Sequence, residues 1–399
     1  MPTSILYHGF GIYGYRHLRT CFQGGALYFH LVRAQDRCAH CKSFRVVKKG
    51  FKVRQLRTLP IGRKRVFLVV KMRRFYCQQC HRIRFEDLGI AERRKHYTRV
   101  LERYVMDLCM MMSIRDVAEH TGLHWATVKA IDRRRMLRHV PTASDLRKLR
   151  FLGIDEVSVR KGHRYLTTAV DLERGRVVYI GEGRSEQSLA PFLKRLRRLK
   201  APLEAVALDM WRPYVRALRS RFPQTALVYD SFHILSDYAR MLDALRSEET
   251  RASQGLMKKV IKGSRFLLLK GQERLTITAK EKLQQLLQLN QRLLKAYVLK
   301  EELRRLWGFN SKKEAERFLL DWINKAFQSG IKKLILFARR ILKHLEGILN
   351  YFRYPISTAM VEGINNKIKV IKRKAYGYRD IEYFKLKIYN SHLARYSLL

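Results

Sequence analysis

Three strand-like runs, a helix, and a fourth strand that ends in acid follow one another between residues 150 and 209, and few folds accept that order. Residues 150–160, 164–172 and 177–183 are strand-like, and Lys161-Gly162 and Glu173-Arg174-Gly175 between them read as hairpin turns. Ser185 then caps an amphipathic helix expected to reach Leu199. Ala205-Val-Ala-Leu-Asp209 is apolar until its last residue. A helix is expected over 214–221, and 225–230 reads as a fifth strand, leading into Ser231-Phe-His233.

Three antiparallel strands, a helix, and a strand laid beside the first make the order of a ribonuclease-H-like core. The expected fold class is therefore α/β and multidomain, with a mixed-sheet catalytic core. In that arrangement Asp155 and Asp209 end adjacent strands, where their carboxylates can share a divalent cation. A carboxylate on a buried strand is costly unless a cation neutralises it. Magnesium favours hard oxygen ligands, which two carboxylates and substrate phosphates supply. Glu362, in Ser357-Thr-Ala-Met-Val-Glu362-Gly-Ile-Asn-Asn-Lys367, opens a late helix whose later turns are basic. It can close a triad while Lys367, Lys369, Lys372, Arg373 and Lys374 hold the strand being cut. A single Asp at a strand end is more often a cap or turn residue; the joint pattern reverses that preference.

The 83 Lys and Arg against 34 Asp and Glu give a formal net charge of +49, spread along nearly the whole chain. A small soluble domain needs a net charge of only about 2 to 8, so this excess points to phosphate backbones as partners. With 399 residues and 47% apolar composition there is material for two or three cores, which excludes disorder. No apolar run approaches the roughly 20 residues that cross a bilayer. The first 33 residues, broken by His8, Arg16, His17 and Arg19, do not resemble a signal peptide. A cytoplasmic location without membrane attachment is expected.

In a reducing compartment the six cysteines are not expected to form a disulfide framework. Four of them make two knuckles, Cys38-Ala-His-Cys41 and Cys77-Gln-Gln-Cys80, each able to place two thiolates on one tetrahedral zinc. The separation exceeds the usual span of about 15 to 20 residues, but 51–75 reads as extended structure punctuated by Gly50 and Pro60-Ile-Gly62. A stretched zinc ribbon with one structural zinc fits; redox pairs are the alternative. Cys21 and Cys109 are left to packing. Gly9-Phe-Gly-Ile-Tyr-Gly14 matches a dinucleotide-binding pattern, but no strand precedes it and no helix follows.

An amphipathic stretch over 101–112 precedes Ile114, Val117 and Ala118 at helical spacing, a turn at Gly122, and a renewed period at Val128 and Ile131. This is a helix-turn-helix pattern, although any short helical hairpin can look similar. Its second helix would offer His124, Trp125, Thr127 and Lys129 to a groove, with Arg133, Arg134 and Arg135 near phosphates. Residues 235–354 are helical in pattern. Leu283, Leu286, Leu287, Leu293 and Leu294 suggest one long helix, Ser311 with Glu314 a capping box, and Pro355 the end of the segment. Trp307 and Trp322 are expected in that segment's core.

Taken in order, the cysteine knuckles, the helix-turn-helix, Gly-Ile-Asp155-Glu, Leu-Asp209-Met, Tyr-Asp230-Ser-Phe-His233, Glu362-Gly-Ile-Asn-Asn-Lys and Ala375-Tyr-Gly-Tyr378 resemble the DDE transposases of bacterial insertion sequences, specifically the ISL-three group. The resemblance spans nearly the full length, and its last two motifs are the most specific. It implies a catalytic triad of Asp155, Asp209 and Glu362 and a pair of magnesium ions, with manganese as a substitute. It also implies hydrolysis at the element ends followed by joining of the 3′-hydroxyls to target DNA. Double-stranded DNA, as terminal inverted repeats and as target, is the implied partner, bound at the nucleoid by a homodimer or larger assembly. Asp230 and His233 match a further motif; His233 can touch DNA, orient a carboxylate or satisfy the strand end.

The expected layout is a zinc ribbon over 1–90, a helix-turn-helix over 91–146, the core's first part over 147–238, an all-helical insertion over 239–354, and the core's last part over 355–399. A DNA-binding regulator without catalysis, and a nuclease or resolvase on the same fold, are the alternatives.

Overall fold

A computed structural model of the chain describes residues 5–160 and 164–393. The turn expected at Lys161-Gly162 lies outside the described residues. The chain divides into two compact units, one running to His139 with Lys374–Leu386, the other Val140–Arg373 with Lys387–His392.

The first unit opens with a short helix, α1 (Ile5–His8), and the strands β1 (Tyr15–Gln23), β2 (Ala26–Arg33), β3 (Val46–Ile61), β4 (Lys64–Cys77) and β5 (Ile83–Phe85). The sheet order is β1-β2-β4-β3, with β5 on the free end of β4. Gly24 and Gly25, both at positive φ, turn β1 into β2, as a two-residue Gly-Gly connection favours. The extended stretch expected over 51–75 is the β3/β4 hairpin, and Gly50 is a bulge within β3 at φ 104° rather than its boundary. Leu31, Leu56, Val66, Leu68 and Val70 form this sheet's core.

Three helices follow, α2 (Arg99–Met111), α3 (Ile114–Thr121) and α4 (Trp125–Leu137). Thr98 caps α2, and Ser113 and Asp116 close a reciprocal capping box on α3. Gly122, at φ 66°, makes the turn into α4. Leu101, Val105, Val117, Val128 and Ile131 pack between them, so the helix-turn-helix is formed around the expected apolar positions.

The second unit begins with α5 (Ala143–Leu146) and the strands β6 (Phe151–Arg160), β7 (Arg164–Asp171) and β8 (Arg176–Glu182). Then come α6 (Glu186–Arg198), β9 (Ala205–Leu208), α7 (Arg212–Arg221) and β10 (Ala226–Tyr229). The sheet order β10-β9-β6-β7-β8 is the expected ribonuclease-H-like one, antiparallel through β6, β7 and β8 and parallel from β6 to β9 and β10. Helix α7 starts two residues before the expected Tyr214, because Pro213 suits a helix's first turn. Leu152, Ile154, Val206 and Leu208 share one apolar cluster with Leu189, Phe192, Tyr214 and Leu218 of these helices.

The helical segment comprises α8 (Ser231–Ala252), α9 (Gly255–Gly263), α10 (Arg265–Leu269), α11 (Ile277–Leu289), α12 (Gln291–Arg304), α13 (Lys312–Gln328), α14 (Lys332–Lys343) and α15 (Leu345–Leu349). The single long helix expected across Leu283 to Leu294 is two. Asn290 ends α11 at φ −138°, ψ 98°, and its side chain caps α12 through Leu293 N–H (2.9 Å) while donating to Glu249 (2.8 Å). The capping box at Ser311 is not formed, since Ser311 makes no side-chain cap bond at φ −117°. Trp322 is buried as expected, with its Nε1 on the Leu299 carbonyl (2.8 Å), and Trp307 packs against the same core. The last long helices are α16 (Ala359–Lys374) and α17 (Ile381–Tyr389). Among the described residues no helix is long and apolar enough to cross a membrane.

Candidate active site and nucleic-acid interface

Strands β6 and β9 run parallel with Phe151 beside Ala205, Leu152 beside Val206 and Gly153 beside Ala207. Carried two residues further, that register sets Asp155 beside Asp209, and strand alternation turns both toward one face of the sheet. Neighbouring strands lie about 4.8 Å apart, so the two acids are neighbours despite their separation in sequence. Each accepts the next residue's amide: Glu156 N–H to Asp155 Oδ1 at 2.8 Å, Met210 N–H to Asp209 Oδ1 at 2.6 Å.

Helix α16 covers that face. A Cβ on Gly153 would lie 2.5 Å from Val361 Cγ2, so only glycine lets the helix approach β6 this closely. One turn on from Val361 and Glu362, Asn365 Nδ2 donates to Asp155 Oδ2 at 2.8 Å. The Thr168 hydroxyl reaches both the Asp155 carbonyl (3.1 Å) and Asn365 Oδ1 (3.3 Å). Glu362 is exposed in the first turn of α16, three residues before Asn365 and so on the same helix face. Among the described residues, the group of three or more ligating side chains with all donor atoms within 4.8 Å of one another is the cysteine cluster. Asp155, Asp209 and Glu362 are not drawn together to that distance.

Burial pushes the Asp155 carboxyl above the usual carboxylate range, against the Glu156 N–H, the His233 imidazole and Asn365, while Asp209 adds to the rise. Glu156, which no motif singles out, is pushed up to about 7 by burial and by Asp155 and Asp209, with Arg184 and His233 opposing. Anionic crowding of this kind is what a bound cation would relieve, and the donors are the hard oxygens magnesium favours. The buried Nδ1 of His233 has no hydrogen-bond partner among the described residues.

Asp230 has a different task. One carboxylate oxygen accepts Phe232 N–H (2.6 Å) and caps α8; the other accepts both the N–H and the hydroxyl of Thr358 (2.6 Å each), just before α16.

In the first unit, the Sγ atoms of Cys38 and Cys80 are 3.7 Å apart and those of Cys41 and Cys77 3.5 Å. A tetrahedron with zinc–sulfur bonds of about 2.3 Å needs sulfurs about 3.8 Å apart, so the four fit one ion. Against burial, amide hydrogen bonds from Cys41 and His40 hold Cys38 down to about 6, whereas burial and neighbouring sulfurs push Cys80 up to about 12. Cys109 is buried in the helical core, as expected, and Cys21 is half-buried on β1.

Helix α4 presents its expected residues unequally. His124 caps it by accepting Ala126 N–H (3.3 Å), Trp125 is exposed and Thr127 half-buried. Lys129 lies on Asp380 at 2.8 Å, flanked by the Trp125 and Tyr383 rings. Arg134 is bound by Glu92 (2.8 Å) and Glu102, and Arg135 by the buried Asp132 (3.1 Å), which also accepts the Tyr383 hydroxyl. Arg133 is exposed and has no ion pair among the described residues. On α16, Lys367, Lys369 and Arg373 are exposed and Lys372 half-buried; Lys369 reaches Asn366 (3.1 Å). Lys374, at the helix end, is exposed too.

Comparison with known proteins agrees module by module. Residues 152–388 match a family model described as a transposase, 86–136 the helix-turn-helix domain of transposase family ISL3, and 34–80 the zinc finger of the IS204/IS1001/IS1096/IS1165 transposases. The transposase of insertion sequence element IS1001 from Bordetella parapertussis is 41% identical over 340 residues, covering 84% of each chain. That of IS1557 from Mycobacterium tuberculosis is 28% identical over 369 residues, 86% of this chain and 83% of its own. Among solved structures, the Drosophila P element transposase strand transfer complex covers 74% of this chain and 92% of that one at 14% identity, with a TM-score of 0.32, a likeness too slight to build on. The zinc ribbon, the DNA-binding helix-turn-helix and the ribonuclease-H-like core thus occur together in one chain, which belongs to the ISL3 family of insertion-sequence transposases.

Proposed function

We propose that this transposase works through a DDE triad of Asp155, Asp209 and Glu362, cutting at element ends and joining the freed 3′-hydroxyls to target DNA. The observation that carries this reading is the register of β6 against β9, which continued two residues sets Asp155 beside Asp209, with Asn365 of the helix that bears Glu362 on the Asp155 carboxylate. The three carboxylates would hold two magnesium ions, with manganese as substitute; when bound, the metals activate water or hydroxyl and stabilise the leaving oxygen. Asn365 and the Glu156 N–H each hold one oxygen of Asp155 and so fix the orientation of its carboxylate. His233 stands close enough to steady both Asp155 and Glu156, which favours orienting a carboxylate among its three expected roles. Asp230, saturated by three donors, serves as a clasp that sets where α16 begins.

The cations along α16, Lys367, Lys369, Lys372, Arg373 and Lys374, would grip the strand being cut. His124, Trp125, Thr127, Lys129 and Arg133 on α4 would face the inverted repeat, with Arg134 and Arg135 supporting the helix from behind. Reaction at paired ends calls for at least a homodimer. The test is Asp155→Ala with labelled element ends and Mg²⁺: end binding is expected to persist while cleavage and strand transfer disappear. A variant that still cleaves would refute the triad, and a wild type that cuts without joining would make the chain a nuclease.

A further inference from the structure

Two residues beyond Asp209, the Trp211 indole is left 36% exposed. It is not loose: Nε1 donates to the Arg184 carbonyl at 2.9 Å, which fixes the ring plane. The Arg184 guanidinium in turn lies 5.3 Å from the Trp211 ring centre and 4.5 Å from that of Tyr165. Tyr165 sits on β7 beside Ser158, two residues along β6 from Glu156, so strand alternation puts it on the Glu156 side of the sheet. Among the described residues Arg184 has no carboxylate within ion-pair distance, although it is near enough to Glu156 to act on its carboxyl. An arginine within reach of two aromatic rings, with no side-chain hydrogen bond among the described residues, next to a partly exposed indole, is matched by one kind of ligand. It must carry a phosphate and a planar ring.

We infer that Trp211 and Arg184 form a receiving platform for one unpaired nucleotide of the DNA end, next to the bond being cut. This rests on the proposed carboxylate site: the base would stack on Trp211, two residues past Asp209, and its phosphate would meet Arg184 near Glu156. The platform binds bases by their faces and so is indifferent to sequence.

The experiment uses the full chain with element-end duplexes carrying 2-aminopurine at the terminal position, with ends either fully paired or mismatched. Binding of the wild type should raise the 2-aminopurine fluorescence, without divalent metal and also in Asp155→Ala. Trp211→Ala should abolish the rise and slow cleavage of paired ends about 5- to 150-fold, the range one base stack supplies. Mismatched ends should recover most of that loss. Trp211→Phe, which keeps a stacking ring, should retain the rise, and Arg184→Ala should weaken it while leaving affinity for the internal repeat unchanged. A Trp211→Ala protein that cleaves paired ends at the wild-type rate with the fluorescence rise intact would overturn the platform. If the wild type shows a Trp211-dependent rise yet never cleaves, the platform stands and the triad reading falls.

Discussion

Helices α4 and α16 are both basic and both are expected to meet DNA, yet they hold their charges in opposite ways. On α4, Lys129, Arg134 and Arg135 are each bound to carboxylates, one of them the fully buried Asp132. On α16, Lys367, Lys372 and Arg373 have no ion pair among the described residues. A cation already held by a carboxylate releases little on meeting a phosphate, whereas an unpaired one contributes fully to counterion release. Formal charge therefore overstates what α4 offers to DNA and describes α16 fairly.

Zinc removal is expected to have the largest effect on this contrast. The ribbon's core is small beside that of the catalytic unit, and a structural zinc contributes on the order of 10 kcal/mol or more to such folds. Chelation should abolish specific repeat binding, and metal analysis of protein prepared without chelator should find one zinc per chain. Arg135→Ala comes next, since it strips a partner from buried Asp132. A loss of about 3 kcal/mol in denaturant unfolding is expected, at the low end for a buried pair because Tyr383 still donates. Its salt dependence of DNA binding should not change. Lys372→Ala or Arg373→Ala should do the reverse, leaving stability alone and lowering the slope of log affinity against log salt by about 0.9 for each phosphate left unneutralised. A salt slope that responds to Arg135 and not to Arg373 would break the comparison. The smallest effect is expected from Asp380→Ala, which frees Lys129 and should tighten DNA binding a few-fold, as the exposed pair is worth at most about 1 kcal/mol.

The core was readable because its strands are nearly all apolar, so the two aspartates stood out; Asp209 does follow the end of β9, whereas Asp155 lies in the middle of β6, which continues to Arg160 rather than ending at the acid. Glu362 stands out as the third candidate from its place at the head of a basic helix, and Asn365 follows one turn later as the next polar side chain on the same face. The break at Asn290 was hidden because leucines continue in period on both sides; only the side chain's own bonds to Leu293 and Glu249 stop the helix. Nothing local could show that Asp380 and Tyr383 return to α4, since their partners are distant in sequence. Nor does the pattern at Tyr15–Gln23 betray a strand, because β1 is mostly exposed and has no alternating apolar side.

The Asp230 clasp has a consequence for how such enzymes can diversify. Because one buried carboxylate joins the end of β10 to Thr358, the entire intervening helical bundle departs from and returns to a single anchored point. Its length and surface can drift, or be exchanged for another bundle, without displacing the glutamate that follows the knot.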